Sequence, residues 1–158
     1  MSLILSAPHP LAATHVLDEF ACGEASLDEW FKRRALTNQL NGASRTFVVT
    51  DRDERVLGYY AMAAGAVSHQ MATSAVRRNM PDPVPVMVLA RLAVDHRAQG
   101  IRLGAALLQD AVKRAVAVSQ NTGVRALLIH ALHDRAEQFY EYPMTLMLRL
   151  HTVFRARY

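Results

Sequence analysis

Gly100-Ile-Arg-Leu-Gly104 sets two glycines between an apolar run, Val88-Leu-Ala-Arg-Leu-Ala-Val94, and a stretch of helical periodicity. In that stretch Ala105, Leu107, Leu108, Ala111, Val112 and Ala115 recur on one face. The Val- and Leu-rich run reads as a strand buried on both faces. A polar turn, Asp95 to Gln99, connects it to the glycines. Strand, glycine-bearing turn and helix in this order aim backbone N–H groups and the positive end of a helix dipole at one spot, which suits a phosphate. A Cβ there would hold a ligand oxygen away from the backbone. The spacing is neither G-x-G-x-x-G nor the P-loop pattern GxxxxGK(S/T), so neither a dinucleotide fold nor a P-loop is supported. The plain alternative is a helix that simply begins after glycine.

Other reactive side chains form no comparable pattern. His15, His69, His96, His130, His133 and His151 show neither H-x-x-x-H nor paired-carboxylate spacing, so no metal site is expected. No G-x-S-x-G elbow is present for a serine hydrolase. Cys22 is the single cysteine, which leaves no intrachain disulfide and no cysteine metal cluster. Met144 and Met147 read as core or interface filling.

The elements that must position the turn fit one domain, residues 1–158. Apolar residues make up 51% and charged residues 20%, which is ordinary for a folded domain and argues against disorder. Arg, His or Pro breaks every apolar stretch well short of the ~18 residues a membrane span needs. The N-terminus lacks a basic leader, so a cytoplasmic protein is expected. The net charge of +4 favours an anionic partner, a phosphorylated cofactor or a nucleic acid.

Ser26 is placed to cap a helix with Leu27, Trp30, Phe31, Ala35, Leu36 and Leu40 on its apolar face, ending near Asn41-Gly42. Lys32, Arg33 and Arg34 lie opposite. Thr46–Thr50 and Val56–Ala66 read as strands joined by the charged turn Asp51-Arg-Asp-Glu54. Arg77 to Pro85 reads as a proline-rich connection that cannot lie inside a sheet. The phosphate turn's helix closes around Asn121-Thr-Gly123. Arg125–Leu132 is a further buried strand, His133–Tyr142 a short helix and Met144–Leu150 a last strand. The fold class is α/β (α+β), a mixed sheet flanked by helices.

Gln99-Gly-Ile-Arg-Leu-Gly104 resembles the Q/R-x-x-G-x-G/A pyrophosphate loop of the GNAT acetyltransferases, with Arg102 where glycine or alanine is usual. Three segments resemble one subgroup, the aminoacyl-tRNA-acetylating toxins of bacterial type II toxin–antitoxin modules. They are Phe20-Ala-Cys-Gly-Glu-Ala-Ser-Leu-Asp-Glu-Trp-Phe31, then Arg45-Thr-Phe-Val-Val49, then Arg77-Arg-Asn-Met-Pro-Asp-Pro-Val-Pro-Val86 running into Leu89-Ala-Arg-Leu-Ala-Val-Asp95. The segment after Tyr140 departs from the subgroup: Glu141-Tyr-Pro143 leads almost at once into the last strand, a shortened C-terminal hairpin.

The resemblance implies a GNAT fold whose central strand splays from its neighbour. Leu92, Ala93 and Val94 would pair with the pantetheine arm of acetyl-coenzyme A, the co-substrate. Gln99, Gly100, Ile101, Arg102, Leu103, Gly104 and Ala105 would form its pyrophosphate site. Tyr140 would protonate the departing thiolate, its pKa near 10 keeping it protonated at neutral pH; a core aromatic is the alternative. Lys32, Arg33, Arg34, Arg45, Arg77 and Arg78 would grip tRNA phosphates, against the plain reading of a solvated face. The implied partners are aminoacyl-tRNA, a small DNA-binding antitoxin of the ribbon-helix-helix type and a second copy in a homodimer, with no metal and no membrane. Acetylation of a small amine or a protein lysine, and a degenerate GNAT fold that only binds, are the competing functions.

Overall fold

A computed structural model of the chain describes residues 3–130 and 145–150, with the backbone alone described at 130 and 145–148. It divides into two compact units, one of Met1–Met62 and Arg91–Ala111, the other of Ala63–Ala90 and Val112–Tyr158. Strands β3 (Val56–Val67) and β4 (Val84–Val94) and helix α4 (Leu103–Ser119) contribute to both.

The first unit begins with a short edge strand, β1 (His9–Pro10), paired antiparallel with β2 (Arg45–Thr50), which pairs antiparallel with β3. The strand order here is β1-β2-β3-β4. The expected charged turn between β2 and β3 is present. The Asp51 carboxylate accepts from the backbone N–H of Asp53 (2.9 Å) and Arg55 (3.0 Å) and from Arg55 Nε (2.8 Å). That is an Asx turn closed by an ion pair.

The expected helix over residues 25–41 is three consecutive segments, α1 (Ala25–Trp30), a π-helical stretch (Phe31–Ala35) and α2 (Leu36–Asn41). It ends where expected, at Gly42 in the left-handed region. Two expectations fail. Ser26 is not the cap: Glu24 precedes the first turn, and the Ser26 hydroxyl donates to the Glu24 carboxylate. Leu40 is 78% exposed, because the wider π turn rotates the helix so that the 3.6-residue count no longer keeps it on the buried face.

Burial of that face is aromatic. Phe31 stacks on Tyr59 at 4.1 Å and 4°, and Phe20 meets both rings edge-on at 5.1 and 5.4 Å. Each such pair adds about 0.5–1.5 kcal/mol beyond the area it buries. Tyr59 donates its hydroxyl to Leu27 O at 2.8 Å, so the one polar atom of the cluster is satisfied. Gly58 lets α4 approach β3: a Cβ there would lie 3.0 Å from Leu103 and 3.1 Å from Leu107.

In the second unit the order is β3-β4-β5-β6, with β5 (Ala126–His130) parallel to β4 and β6 (Thr145–Arg149) antiparallel to β5. Its core holds Ala72, Val76, Val84, Val86, Ala126 and Leu128. A short helix, α3 (Ser74–Arg77), leads into the proline-rich connection, which ends earlier than expected. β4 begins at Val84, so Pro85 lies inside a strand. Its carbonyl still accepts from Arg125 N at 3.0 Å, and proline has no N–H to leave unpaired. The expected short helix His133–Tyr142 lies outside the described residues. No described helix is long and apolar enough to cross a membrane.

An unexpected histidine pair fastens β1. His9 Nδ1 lies 2.9 Å from Ala7 O and must donate; His15 Nδ1 lies 2.9 Å from Ala12 N and must accept. The remaining bond, Nε2 to Nε2 at 3.1 Å, then runs from His15 to His9. An added proton on either ring would face another N–H. Desolvation and the neighbouring His9 hold the His15 pKa below its ordinary value, only partly opposed by Glu54. The unfolded chain therefore takes up this proton first. Stability is complete above a pH of about 6.5 and falls as pH drops below it. His15→Gln should flatten this part of a urea-midpoint profile between about pH 7 and 5; an unchanged slope would show that the pair is energetically silent.

Candidate functional site

Among the described residues the parallel ladder between β4 and β5 runs from Val86↔Ala126 to Leu89↔Ile129, and β4 itself continues to Val94. Ala93 is buried in the first unit's core, while Leu92 and Val94 are half-buried.

A buried carboxylate controls the turn that follows. Asp95, 2% exposed, accepts from Arg97 N (2.8 Å), Arg97 Nε (2.8 Å), Arg97 Nη2 (3.1 Å) and Ala21 N (2.9 Å). Burial alone would raise its pKa. The Arg97 guanidinium and the two backbone N–H donors outweigh that and hold the carboxyl below the usual range. Asp95 N donates to Leu57 O on β3 and His96 N to Ala21 O, each at 2.9 Å. Loop, strand and N-terminal segment are thus tied at one point.

Gln99 extends the tie. Its side-chain amide donates to Val94 O (3.0 Å) and Cys22 O (3.1 Å). The amide is therefore spent on the protein, and what Gln99 offers a ligand is its backbone N–H. Gly100 and Arg102 both lie in the left-handed region, at φ of 82° and 64°. Alternation of this kind turns successive N–H groups toward one concavity. Glycine takes the conformation freely, whereas at Arg102 it costs an L-residue about 1–2 kcal/mol. Helix α4 then starts at Leu103, and the N–H groups of Leu103, Gly104 and Ala105 have no acceptor within the helix. A Cβ on Gly104 would sit 3.7 Å from Val94, an ordinary contact, so packing alone does not demand glycine here. Gly100, Ile101, Arg102 and Ala105 are exposed, Gly104 half-buried and Leu103 buried.

Beside the strand, the Arg91 guanidinium lies 4.6 Å from the centre of the Trp30 ring, which itself stacks on Tyr59. Cys22 is no nucleophile: burial and its contact with Asp28 leave the thiol pushed up to about 12. Among the described residues, no group of three or more His, Cys, Asp or Glu side chains could hold a metal ion.

The basic residues fall in both units. Lys32, Arg33 and Arg34 are exposed on the π-helical stretch and make no ion pair among the described residues. Arg45 donates to Gln39 O and Arg77 to His69 O, each leaving further donors toward solvent. Arg78 is exposed. Tyr140 lies outside the described residues.

Sequence reasoning assigned no role to Asp95, Arg97 or the Arg91–Trp30 contact. An Asp directly after a strand and before a tight turn is the one available signal, because its carboxylate can accept from the N–H two residues on.

The family model described as the acetyltransferase (GNAT) family matches residues 11–142. The chain is 52% identical over 135 residues to a tRNA-acetylating toxin of Mycobacterium tuberculosis, covering 85% of this chain and 81% of that protein. Its fold matches AtaT complexed with acetyl-methionyl-tRNAfMet, with a TM-score of 0.88 and 22% identity over 98% of this chain and all of that one. It also matches a mutant AtaT toxin bound to the C-terminus of the antitoxin AtaR and acetyl-CoA, with a TM-score of 0.80 and 23% identity over 94% and 95% of the two chains.

Asp95→Asn keeps the size of the side chain but sets an NH2 against the donors of Arg97 and Ala21. It should cost about 1–3 kcal/mol, read as a lower urea midpoint. Because the native carboxyl sits below its ordinary pKa, the wild-type advantage should persist above a pH of about 4 and vanish as pH falls through the folded value. An equal midpoint at pH 7 would show that this carboxylate does not hold the loop.

Proposed function

The chain belongs to the acetyltransferase (GNAT) family, and on that footing we propose that it is a toxin that acetylates the α-amine of aminoacyl-tRNA and so stops translation. The observation that carries this reading is the 52% identity to a tRNA-acetylating toxin across 85% of the chain.

Acetyl-CoA brings an activated thioester. Transfer joins the acetyl carbon to the amine nitrogen and breaks the carbon–sulfur bond; the amine gives up a proton and the thiol leaves with one. Leu92, Ala93 and Val94 bind the pantetheine arm through the extended backbone at the end of β4, and an N–H there polarises the thioester carbonyl. The backbone N–H groups of Gln99, Gly100, Ile101 and Arg102, with those of Leu103, Gly104 and Ala105 in the first turn of α4, take the pyrophosphate. The left-handed residues Gly100 and Arg102 and the missing Cβ of Gly104 support this fit. The Arg102 side chain adds a cation beside that anion. Tyr140 supplies the proton to the thiolate.

Lys32, Arg33, Arg34, Arg45, Arg77 and Arg78 hold the tRNA backbone, so affinity falls steeply with salt. The protein works in the cytoplasm as a homodimer. A small antitoxin of the ribbon-helix-helix type silences it; the AtaT variant seen with its antitoxin's C-terminus supports an antitoxin partner.

The direct test incubates the protein with charged tRNA and labelled acetyl-CoA. Label should appear on the aminoacyl amine, and label only on protein lysines or free amines would overturn the substrate. Gly104→Val should preserve thermal stability while weakening acetyl-CoA binding about tenfold or more, roughly 1.4 kcal/mol. Unchanged calorimetric affinity would remove the pyrophosphate assignment. Tyr140→Phe should bind acetyl-CoA normally and lose about 10²–10⁴ in transfer rate, together with growth arrest on expression. A full rate with lowered stability would make Tyr140 a packing residue.

A further inference from the structure

We infer that Arg125 and Arg149, in the second unit, form a further phosphate site that takes a phosphodiester of the tRNA backbone; this rests on the tRNA reading above. Both line a cavity of about 460 Å³ whose walls include Asn79, Ser119, Thr122 and Gly123, with no carboxylate among the described lining residues. The volume is many times the ~30 Å³ share of a liquid water, enough for a phosphate group and its hydration.

Each of the two guanidinium groups keeps a buried Nε without an acceptor among the described residues. Arg125 spends Nη2 on Arg78 O at 2.7 Å, while its Nε is buried without a partner among the described residues. Arg149 Nε is buried and unpartnered as well. Buried donors on charged groups are costly to leave unpaired, and both belong to arginines that line this one cavity. The Ser119 hydroxyl on the cavity wall donates to Val116 O at 2.6 Å, and an alcohol brings no charge to balance a guanidinium.

The backbone presents the site rigidly. Arg125 N donates to Pro85 O on β4, and Arg125 O accepts from Leu150 N just after β6. A planar guanidinium fork fixed in this way suits the paired oxygens of a phosphate. A chain of repeated phosphates, and not one isolated anion, is indicated by what adjoins it. Arg78 holds Arg125 through its carbonyl, and the exposed side chains of Arg77 and Arg78 lie on the same connection.

The test titrates uncharged tRNA into the full-length protein over a range of NaCl concentrations. Arg149→Gln removes the charge but keeps a polar side chain. Thr122→Glu sets a carboxylate on the exposed turn at the cavity wall, where it would occupy the arginines. Each variant should weaken tRNA binding severalfold and reduce the slope of log K against log salt by about one, with acetyl-CoA affinity and thermal midpoint unchanged. If Arg149→Gln does not fold, Thr122→Glu carries the test. Folded variants with wild-type tRNA affinity and slope would overturn this site alone. So would variants that bind tRNA normally but lose an acidic peptide from a cognate antitoxin. Wild-type protein that binds no tRNA would overturn the function and this site together.

Discussion

A single carboxylate, buried directly after β4, organises the site. Removing Asp95 from water would be prohibitive if its charge stood alone, so the surrounding chain is arranged to supply donors. Arg97 folds back over it with three N–H groups, which closes the turn, and Ala21 contributes a backbone donor from a distant segment. Gln99 repeats the arrangement on Cys22 and Val94. The loop shape thus follows from satisfying buried polar groups. A loop held this way is preorganised, so little ordering cost is left to be met when a ligand arrives.

From that anchor the proposed acetyl-CoA site is built of backbone. Upstream, β4 stays extended to Val94, the main-chain form that a ligand can pair with. Downstream, two left-handed residues and the first turn of a 17-residue helix direct N–H groups outward. Nothing in this stretch requires a reactive side chain. That suits acetyl transfer from a thioester, in which the donor is already activated and the protein's part is to orient it and stabilise developing charge.

The cations serve a different purpose. Lys32, Arg33 and Arg34 stand out from a helix whose other face packs Phe31 and Ala35 against Tyr59. The apolar contact fixes the helix, and the π turn settles which residues turn outward. Arg125 in the second unit is held by backbone bonds on either side. In each unit a rigid element presents cations that make no ion pair among the described residues.

Period and composition were enough to place β2, β3, β4, α4, β5 and β6, because each buries a face whose apolar spacing is written locally. The glycine pattern located the turn for the same reason: a left-handed residue and a missing Cβ are properties of single positions. Resemblance, not periodicity, supplied the acetyl group and the tRNA. Other features depend on partners far away in the chain. Ser26 gave way to Glu24 at the helix start, and Leu40 left the buried face once Phe31–Ala35 widened into a π turn. Pro85 entered a strand because Arg125 needed only its carbonyl. Asp95 became a hub through Ala21, 74 residues away, and His9 found His15 across a turn. Local sequence determines which faces must be buried and where the chain can bend. Which donor meets which buried acceptor is decided only when the tertiary fold brings distant segments within hydrogen-bonding distance.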